Sequence, residues 1–283
     1  SWAITSIVYP DMYKLGLKQY MTNKVMAHMD IRNAMQIADY QKMNKLRERV
    51  ENTVQDKKAV EALKPWYRQW CKRPVFNDEF LPTFNRENTH LIDTGGQGVE
   101  RVTENSVIVG GVEYEVDCLI FATGFEVGTD YTRQAEVELY GRNGTALTDY
   151  WKNGMRTYHG FQAHGFPNCF HMGLTQTGLA PCFTYMLDNQ ATNIAYIINQ
   201  TKVRNAKSVE TSIASEAQWI ETVNQPTFMT EYQSYCTPGY YNNEGKEGGK
   251  GFLEGHYPEG PVQFYSMLSD WREQGDLKGL VFD

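Results

Sequence analysis

The sequence predicts a mixed α/β chain, and three observations carry that reading. Residues 9–64 hold one glycine, Gly16, and one proline, Pro10, and are dominated by Leu, Met, Ala, Lys and Gln, a helical composition. From residue 66 aromatics, prolines and turn residues bound short apolar runs of the kind that form strands. Residues 118–122, Cys-Leu-Ile-Phe-Ala, are apolar without alternation, which suits a strand covered on both faces.

The helical block comes first. Met35, Ile37, Ala38, Met43, Leu46, Val50 and Val54 recur close to the helical period, so one stripe is expected to be buried. Asp56 is placed to cap a short helix through Leu63, which Pro65 ends. Residues 89–95, 98–104 and 105–124 read as strands. Within the last of these, Gly110-Gly111 predicts a two-residue hairpin turn, because both positions adopt positive φ without steric cost. Residues 167–174 look strand-like, and residues 184–198 are helical. Ser215 and Gln218 have capping-box spacing before Trp219-Ile-Glu-Thr-Val. Pro261 and Gly275 bracket a last helix, and residues 240–251 read as a mobile loop.

Composition narrows the function classes. With 283 residues, 41% of them hydrophobic, the chain buries a sizeable core in one large domain or two modest ones. No window approaches the ~18 to 20 apolar residues of a membrane span, and the start lacks a basic region followed by an apolar one, so no membrane span or secretion is expected. The five cysteines are scattered and never form a C-x-x-C pair, which argues against a disulfide framework or a zinc site and for the cytoplasm. Net charge is −7, unevenly placed: residues 1–75 carry 14 Lys/Arg against 7 Asp/Glu. Aromatics interleaved with those cations are few, so nucleic acid is not the expected partner, and a phosphate-bearing small cofactor is the alternative to a solvated basic helix face.

The common catalytic patterns are missing. Six histidines form no metal-binding spacing, and neither a G-x-S-x-G elbow nor a phosphate-binding P-loop occurs. His159 and His164 bracket Gly-Phe-Gln-Ala; either is a candidate base or a satisfied structural histidine. Gly95-Gly-Gln-Gly98 lies between strand-like segments, so it is not a dinucleotide turn. Cys71-Lys-Arg-Pro74, beside Trp66, Tyr67 and Trp70, would by itself be a solvated loop.

Its surroundings give it another meaning. The stretch from Arg47 to Asp93 (RERVENTVQDKKAVEALKPWYRQWCKRPVFNDEFLPTFNRENTHLID), then DCLIFATGF at 117–125 and WKNGMRTYHGFQAHGFPNCFHMGLTQTG at 151–178, resemble in order the C-terminal half of Baeyer-Villiger monooxygenases, the class B flavin monooxygenases. The resemblance runs from about residue 30 to the end. It implies an α/β fragment of a flavoprotein with two dinucleotide-binding domains: residues 1–65 a helical insertion, 66–122 the β-rich end of the NADPH domain, and 123–283 the C-terminal part of the FAD domain. The glycine-rich turns for FAD and NADPH, and the fingerprint between them, do not occur, so the chain is expected to be the C-terminal portion of a longer protein and to bind neither cofactor tightly unaided.

What the resemblance implies for chemistry is specific. Such enzymes reduce FAD with NADPH, trap O2 as a flavin C4a-peroxide and insert one oxygen into a ketone, giving an ester or lactone. Arg73 matches the catalytic arginine, a cation that cannot lose its proton; a unit charge at ~4 Å and a dielectric of ~20 contributes about 4 kcal/mol toward keeping a peroxide anionic. Lys72 is expected at the 2′-phosphate of NADPH. Ala122, Thr123, Gly124 and Phe125 lie at the crossover beside both cofactors, where small residues let backbone approach a ring or pyrophosphate. Thr175, Gln176, Thr177, Leu179 and Ala180 are candidates for the flavin edge. Phe183, Tyr235 and Tyr240 are candidates for substrate or for the nicotinamide loop, where Tyr-Tyr-Asn replaces the usual Gly-Ala-Asn and Tyr235 stands near a usual tryptophan. Two alternatives remain open: a flavin monooxygenase acting on nitrogen or sulfur, and a non-catalytic module that has lost its cofactors.

Overall fold

The computed structural model describes residues 31–124, 131–180, 182–245 and 255–283. They divide into two compact units, one ending at Phe125 and the other resuming at Glu126. Phe125 itself, and the part of the 240–251 loop from residue 246 on, lie outside the described residues.

In the first unit, α1 (Ile31–Thr53) is followed by α2 (Lys57–Leu63), with Asp56 as its N-cap accepting from the Lys58 amide at 2.9 Å. Ala38, Met43 and Val50 are buried along one stripe of α1, as its period requires, and Val54, just past its end, is buried with them. Val50 and Val54 pack on Ala59 and Val60 of α2, with Leu81 and Phe84 of the one-turn α3 (Phe80–Thr83) against them. Asn85 ties this corner together, accepting from the Gln55 amide and donating to the Thr53 carbonyl.

A three-stranded antiparallel sheet follows: β1 (Arg101–Val102), β2 (Ser106–Val109) and β3 (Val112–Glu115). Val109 faces Val112 across Gly110 (φ +58°) and Gly111 (φ +73°), the hairpin the glycine pair predicts. Three expectations fail here, wholly or in part. Residues 89–95 form no strand, and of residues 98–104 only Arg101 and Val102 pair. Residues 117–124 also form no strand, and the run expected to be covered on both faces is open: Ile120 is 81% and Phe121 76% exposed. Strand formation needs hydrogen-bonding neighbours, and among the described residues this run has none.

The second unit is mostly helical: α4 (Tyr131–Ala135), α5 (Leu147–Tyr150), α6 (Phe183–Val203), α7 (Ile213–Val223), α8 (Phe228–Ser234) and α9 (Gly260–Gln274), with the pair β4 (Val209–Thr211) and β5 (Leu280–Phe282). Its main core gathers Phe161, Met186, Ile194, Trp219, Val223, Phe264, Tyr265 and Leu268. A second cluster, Ile197, Val209, Trp271 and Leu277, closes the far end of α6.

Local signals mislead at two places. The α7 cap is Ser212, which accepts from the Ser215 amide at 3.1 Å, not Ser215. Pairing of β4 with β5 ends at Thr211, so the helix starts as soon as the chain leaves the sheet. Residues 167–174 are irregular: Asn168 sits at φ +58° and exchanges two bonds with Val209, amide to carbonyl at 2.9 Å and side chain to amide at 3.0 Å. That bracing replaces a strand with a single contact point. Gly275 ends α9 at φ +70°, as predicted.

Candidate functional site

Lys72 and Arg73 follow a single 3-10 turn, Gln69–Cys71, and α1 fixes where that turn stands. The Arg47 guanidinium donates to the Pro65 carbonyl at 2.8 Å and lies 4.7 Å over the Trp66 ring. Two turns earlier on α1, the buried Asp39 accepts from the Gln69 amide at 2.9 Å. Cys71 is buried, Lys72 is half-buried and Arg73 is exposed. Among the described residues Arg73 has no hydrogen-bond or ion-pair partner, so its five donors are open to a ligand's negative charge. The buried acid inside α1 was the signal sequence reasoning passed over: Asp39 interrupts the apolar stripe beside Ala38.

Ala122, Thr123 and Gly124 are exposed at the end of the first unit, with Gly124 at φ +91°, a conformation L side chains rarely adopt.

The second candidate region is the loop from Gly173 to Ala180, in the second unit. Gln190, fully buried on α6, donates to the Gly173 carbonyl at 2.7 Å and accepts from its amide at 3.0 Å. Thr177 donates to the Leu174 carbonyl at 2.9 Å, and its own carbonyl accepts from the Tyr257 amide. The Tyr265 hydroxyl donates to the Gly178 carbonyl at 3.0 Å, while a Cβ on Gly178 would stand 2.7 Å from Phe264. Ala180 donates its amide to the Met186 sulfur. Gln176 and Thr177 are buried, Leu179 and Ala180 half-buried, and Thr175 exposed. The side chains of Gln176 and Thr177 therefore spend their hydrogen bonds inside the protein. Gln190 and Asn193, polar residues at buried positions of the α6 stripe, are a signal the sequence did carry.

The loop leads to the N-terminus of α6, where Cys182 makes no side-chain cap. Phe183 and Tyr185 are exposed there. First-turn amides without a cap, beside a tightly held loop, suit the electron-rich carbonyl edge of a flavin ring. Lys72 with Arg73 suits a phosphate. Tyr235 is exposed at the end of α8, and Tyr240 opens a short 3-10 turn with its ring 4.3 Å from that of Tyr241.

Two histidines are held neutral. Burial pushes His159 down to about 3, stacked 3.7 Å from the Tyr158 ring and edge-on to Trp219 and Trp271. Burial likewise pushes His171 down to about 4, against Tyr131 and Trp151. His164 instead bonds the Thr211 carbonyl at 2.9 Å. Its amide meets Glu216, a fully buried carboxylate that also accepts from Tyr150 and Arg156. All three histidines read as structural. Among the described residues no three side chains gather as a metal site, and no helix is long and apolar enough to cross a membrane.

No protein-family model matches the chain. Individual proteins do. The neopentalenolactone D synthase of Streptomyces avermitilis is 44% identical over 254 residues, 89% of this chain and 43% of that protein. A Baeyer-Villiger monooxygenase of Stachybotrys chlorohalonatus is 41% identical over 251 residues, 88% of this chain and 40% of that protein. Among solved structures, the polycyclic ketone monooxygenase of Thermothelomyces thermophila superposes with a TM-score of 0.80 at 32% identity, covering 88% of this chain and 41% of that one. Cyclohexanone monooxygenase from Rhodococcus sp. Phi1, bound to NADP+, shares the fold with a TM-score of 0.74 at 19% identity, over 87% of this chain and 45% of that one.

These likenesses put the chain among relatives of oxygen-inserting monooxygenases. More narrowly, it is a relative of the Baeyer-Villiger monooxygenases, with their mixed helix-and-sheet fold, and it spans 43% of the length of the neopentalenolactone D synthase it matches.

Proposed function

We propose that this chain is part of an FAD- and NADPH-dependent monooxygenase that inserts one oxygen of O2 into a bulky, polycyclic ketone to give an ester or lactone. The observation that carries the reading is the 44% identity over 254 residues to a neopentalenolactone D synthase, and the polycyclic ketone monooxygenase that matches the same fold supports the substrate class. We further propose residues 1–65 as a helical insertion, 66–122 as the end of the NADPH domain and 123–283 as part of the FAD domain; the division of the chain after Phe125 supports it. A cytoplasmic location fits a reaction that consumes NADPH.

When bound, FAD would supply the oxygen-activating ring and NADPH the reducing equivalents. The chain's own residues do the rest. Arg73, a permanent cation, holds negative charge as it develops on oxygen. Lys72 meets the 2′-phosphate as a point charge. Ala122, Thr123 and Gly124 let backbone approach a cofactor closely, and the Gly173–Ala180 loop with the open start of α6 receives the flavin's polar edge. Phe183, Tyr235 and Tyr240 offer aromatic surface to the ketone or the nicotinamide loop.

The test is substrate profiling of the full-length protein with its Arg73→Met variant. Esters or lactones from polycyclic ketones are expected from the parent, with product lost in the variant while NADP+ still binds. Wild-type product formation by the variant removes Arg73 from the reaction, and absence of any oxygenated ketone from the parent removes the function.

A further inference from the structure

We propose that Gln176 is a positioning residue, whose buried amide sets where the Gly173–Ala180 loop and the start of α6 present themselves to a flavin, rather than a group that touches the cofactor. The inference rests on the flavoprotein reading above and adds to it a residue that acts through others.

The geometry leaves Gln176 little to offer a ligand. Its Oε1 accepts from the Thr157 amide at 3.0 Å and from the Thr157 hydroxyl at 2.5 Å, and its Nε2 donates to the Met155 carbonyl at 2.5 Å. Its main-chain amide donates to the Gly255 carbonyl at 2.8 Å, and its carbonyl accepts from the Trp219 indole at 3.1 Å. One residue thus joins the loop to residues 155–157, to Gly255 and to α7. It does so at φ +61°, a left-handed backbone that costs a non-glycine residue roughly 1 kcal/mol and persists only when surrounding bonds over-determine it.

Neighbouring features show that this knot is built for register. Gly160 lies so close to Thr177 that a Cβ there would collide with the threonine methyl. Gln190 holds the loop's beginning through the oxygen and the nitrogen of its side-chain amide, and Tyr265 holds Gly178. Between these fixed points only Thr175 is exposed. An apolar side chain at 176 would fill the space yet leave the Thr157 amide and hydroxyl and the Met155 carbonyl without partners. The loop would then relax, and donors placed for a ligand would move with it.

The experiment uses the full-length protein carrying Gln176→Met and, separately, Gln176→Glu, which keeps both Thr157 bonds but loses donation to Met155. FAD affinity by fluorescence, the position of the bound flavin's visible band, and the melting temperature of the flavin-free protein are measured for each. Gln176→Met is expected to weaken FAD binding about tenfold, the equivalent of one lost hydrogen bond, and to shift the band. Gln176→Glu, which sets a carboxylate oxygen against the Met155 carbonyl, is expected to weaken FAD binding and shift the band as well. Should Gln176→Met fail to fold, Gln176→Glu decides alone: weaker FAD binding with a shifted band supports the inference. A lower melting temperature with unchanged FAD affinity and band overturns it, since that is the signature of a merely structural residue. A parent protein that binds no FAD overturns the flavoprotein reading itself, and the inference falls with it.

Discussion

Replacing Glu216 by glutamine tests how the second unit is held together. The carboxylate is fully buried on α7 and faces three donors: the Tyr150 hydroxyl at 2.7 Å and the Arg156 Nε at 3.2 Å on one oxygen, and the His164 amide at 2.9 Å on the other. Burial and the neighbouring carboxylate push Tyr150 up to about 12, so its hydroxyl stays protonated and donates. Glutamine brings one oxygen and an NH2 group, and whichever way it turns, the NH2 meets a donor. Losing one partner of a buried, hydrogen-bonded charge pair costs ~3 to 5 kcal/mol. Arg156 is 38% exposed and recovers hydration, which places the expectation at the low end, about 3 kcal/mol. At ~2 to 4 °C per kcal/mol for a domain of this size, the melting temperature should drop by roughly 6 to 12 °C. Thermal unfolding followed by circular dichroism measures it, with Glu221→Gln, an exposed position on the same helix, as the control expected to stay within ~0.5 kcal/mol. A drop below about 2 °C for Glu216→Gln refutes the reasoning.

Three further outcomes follow from named contacts. Burial pushes His159 down to about 3 and His171 down to about 4, below the ordinary histidine value, so their contribution is fully present above pH ~6.5 and is lost as pH falls toward those values, at up to ~1.4 kcal/mol per pH unit each. His171→Phe should flatten the stability profile between pH ~6.5 and ~4, and an unchanged slope in urea melts would count against it. Asp39→Ala removes the acceptor of the Gln69 amide, at a cost of ~1.5 to 3 kcal/mol, and hydrogen exchange at Gln69 should speed up; unaltered protection there would sink the proposed anchoring of the turn. Gly178→Ala forces a methyl to within 2.7 Å of Phe264 and should destabilise by ~1 to 3 kcal/mol, whereas Gly173→Ala meets open space; equal melting temperatures would contradict the packing.

The sequence announces what is decided locally. Asp56 caps α2 and Gly110-Gly111 turns the hairpin because each needs only its immediate neighbours. The α7 cap is misread by three residues because a distant strand, β5, determines where β4 stops. The run at 118–122 has a strand's composition, yet pairing is supplied by other segments, and composition says nothing about whether they are at hand. At the candidate site, Arg73 and Lys72 were legible through motif order, and their exposed and half-buried positions suit ligand contact. Gln176 was legible only as a position. That its amide points inward, to Thr157 and Met155, depends on bonds between residues about twenty apart, which no local pattern encodes.

The bare Leu119–Phe121 ribbon has a practical side. Among the described residues its amides and carbonyls have no backbone partner and its isoleucine and phenylalanine lie open, the marks of a run that still needs a neighbouring strand. The chain spans 43% of the length of the neopentalenolactone D synthase it matches, so a longer stretch of the protein is where that neighbouring strand is to be sought, and expressing it is the first change to make for yield.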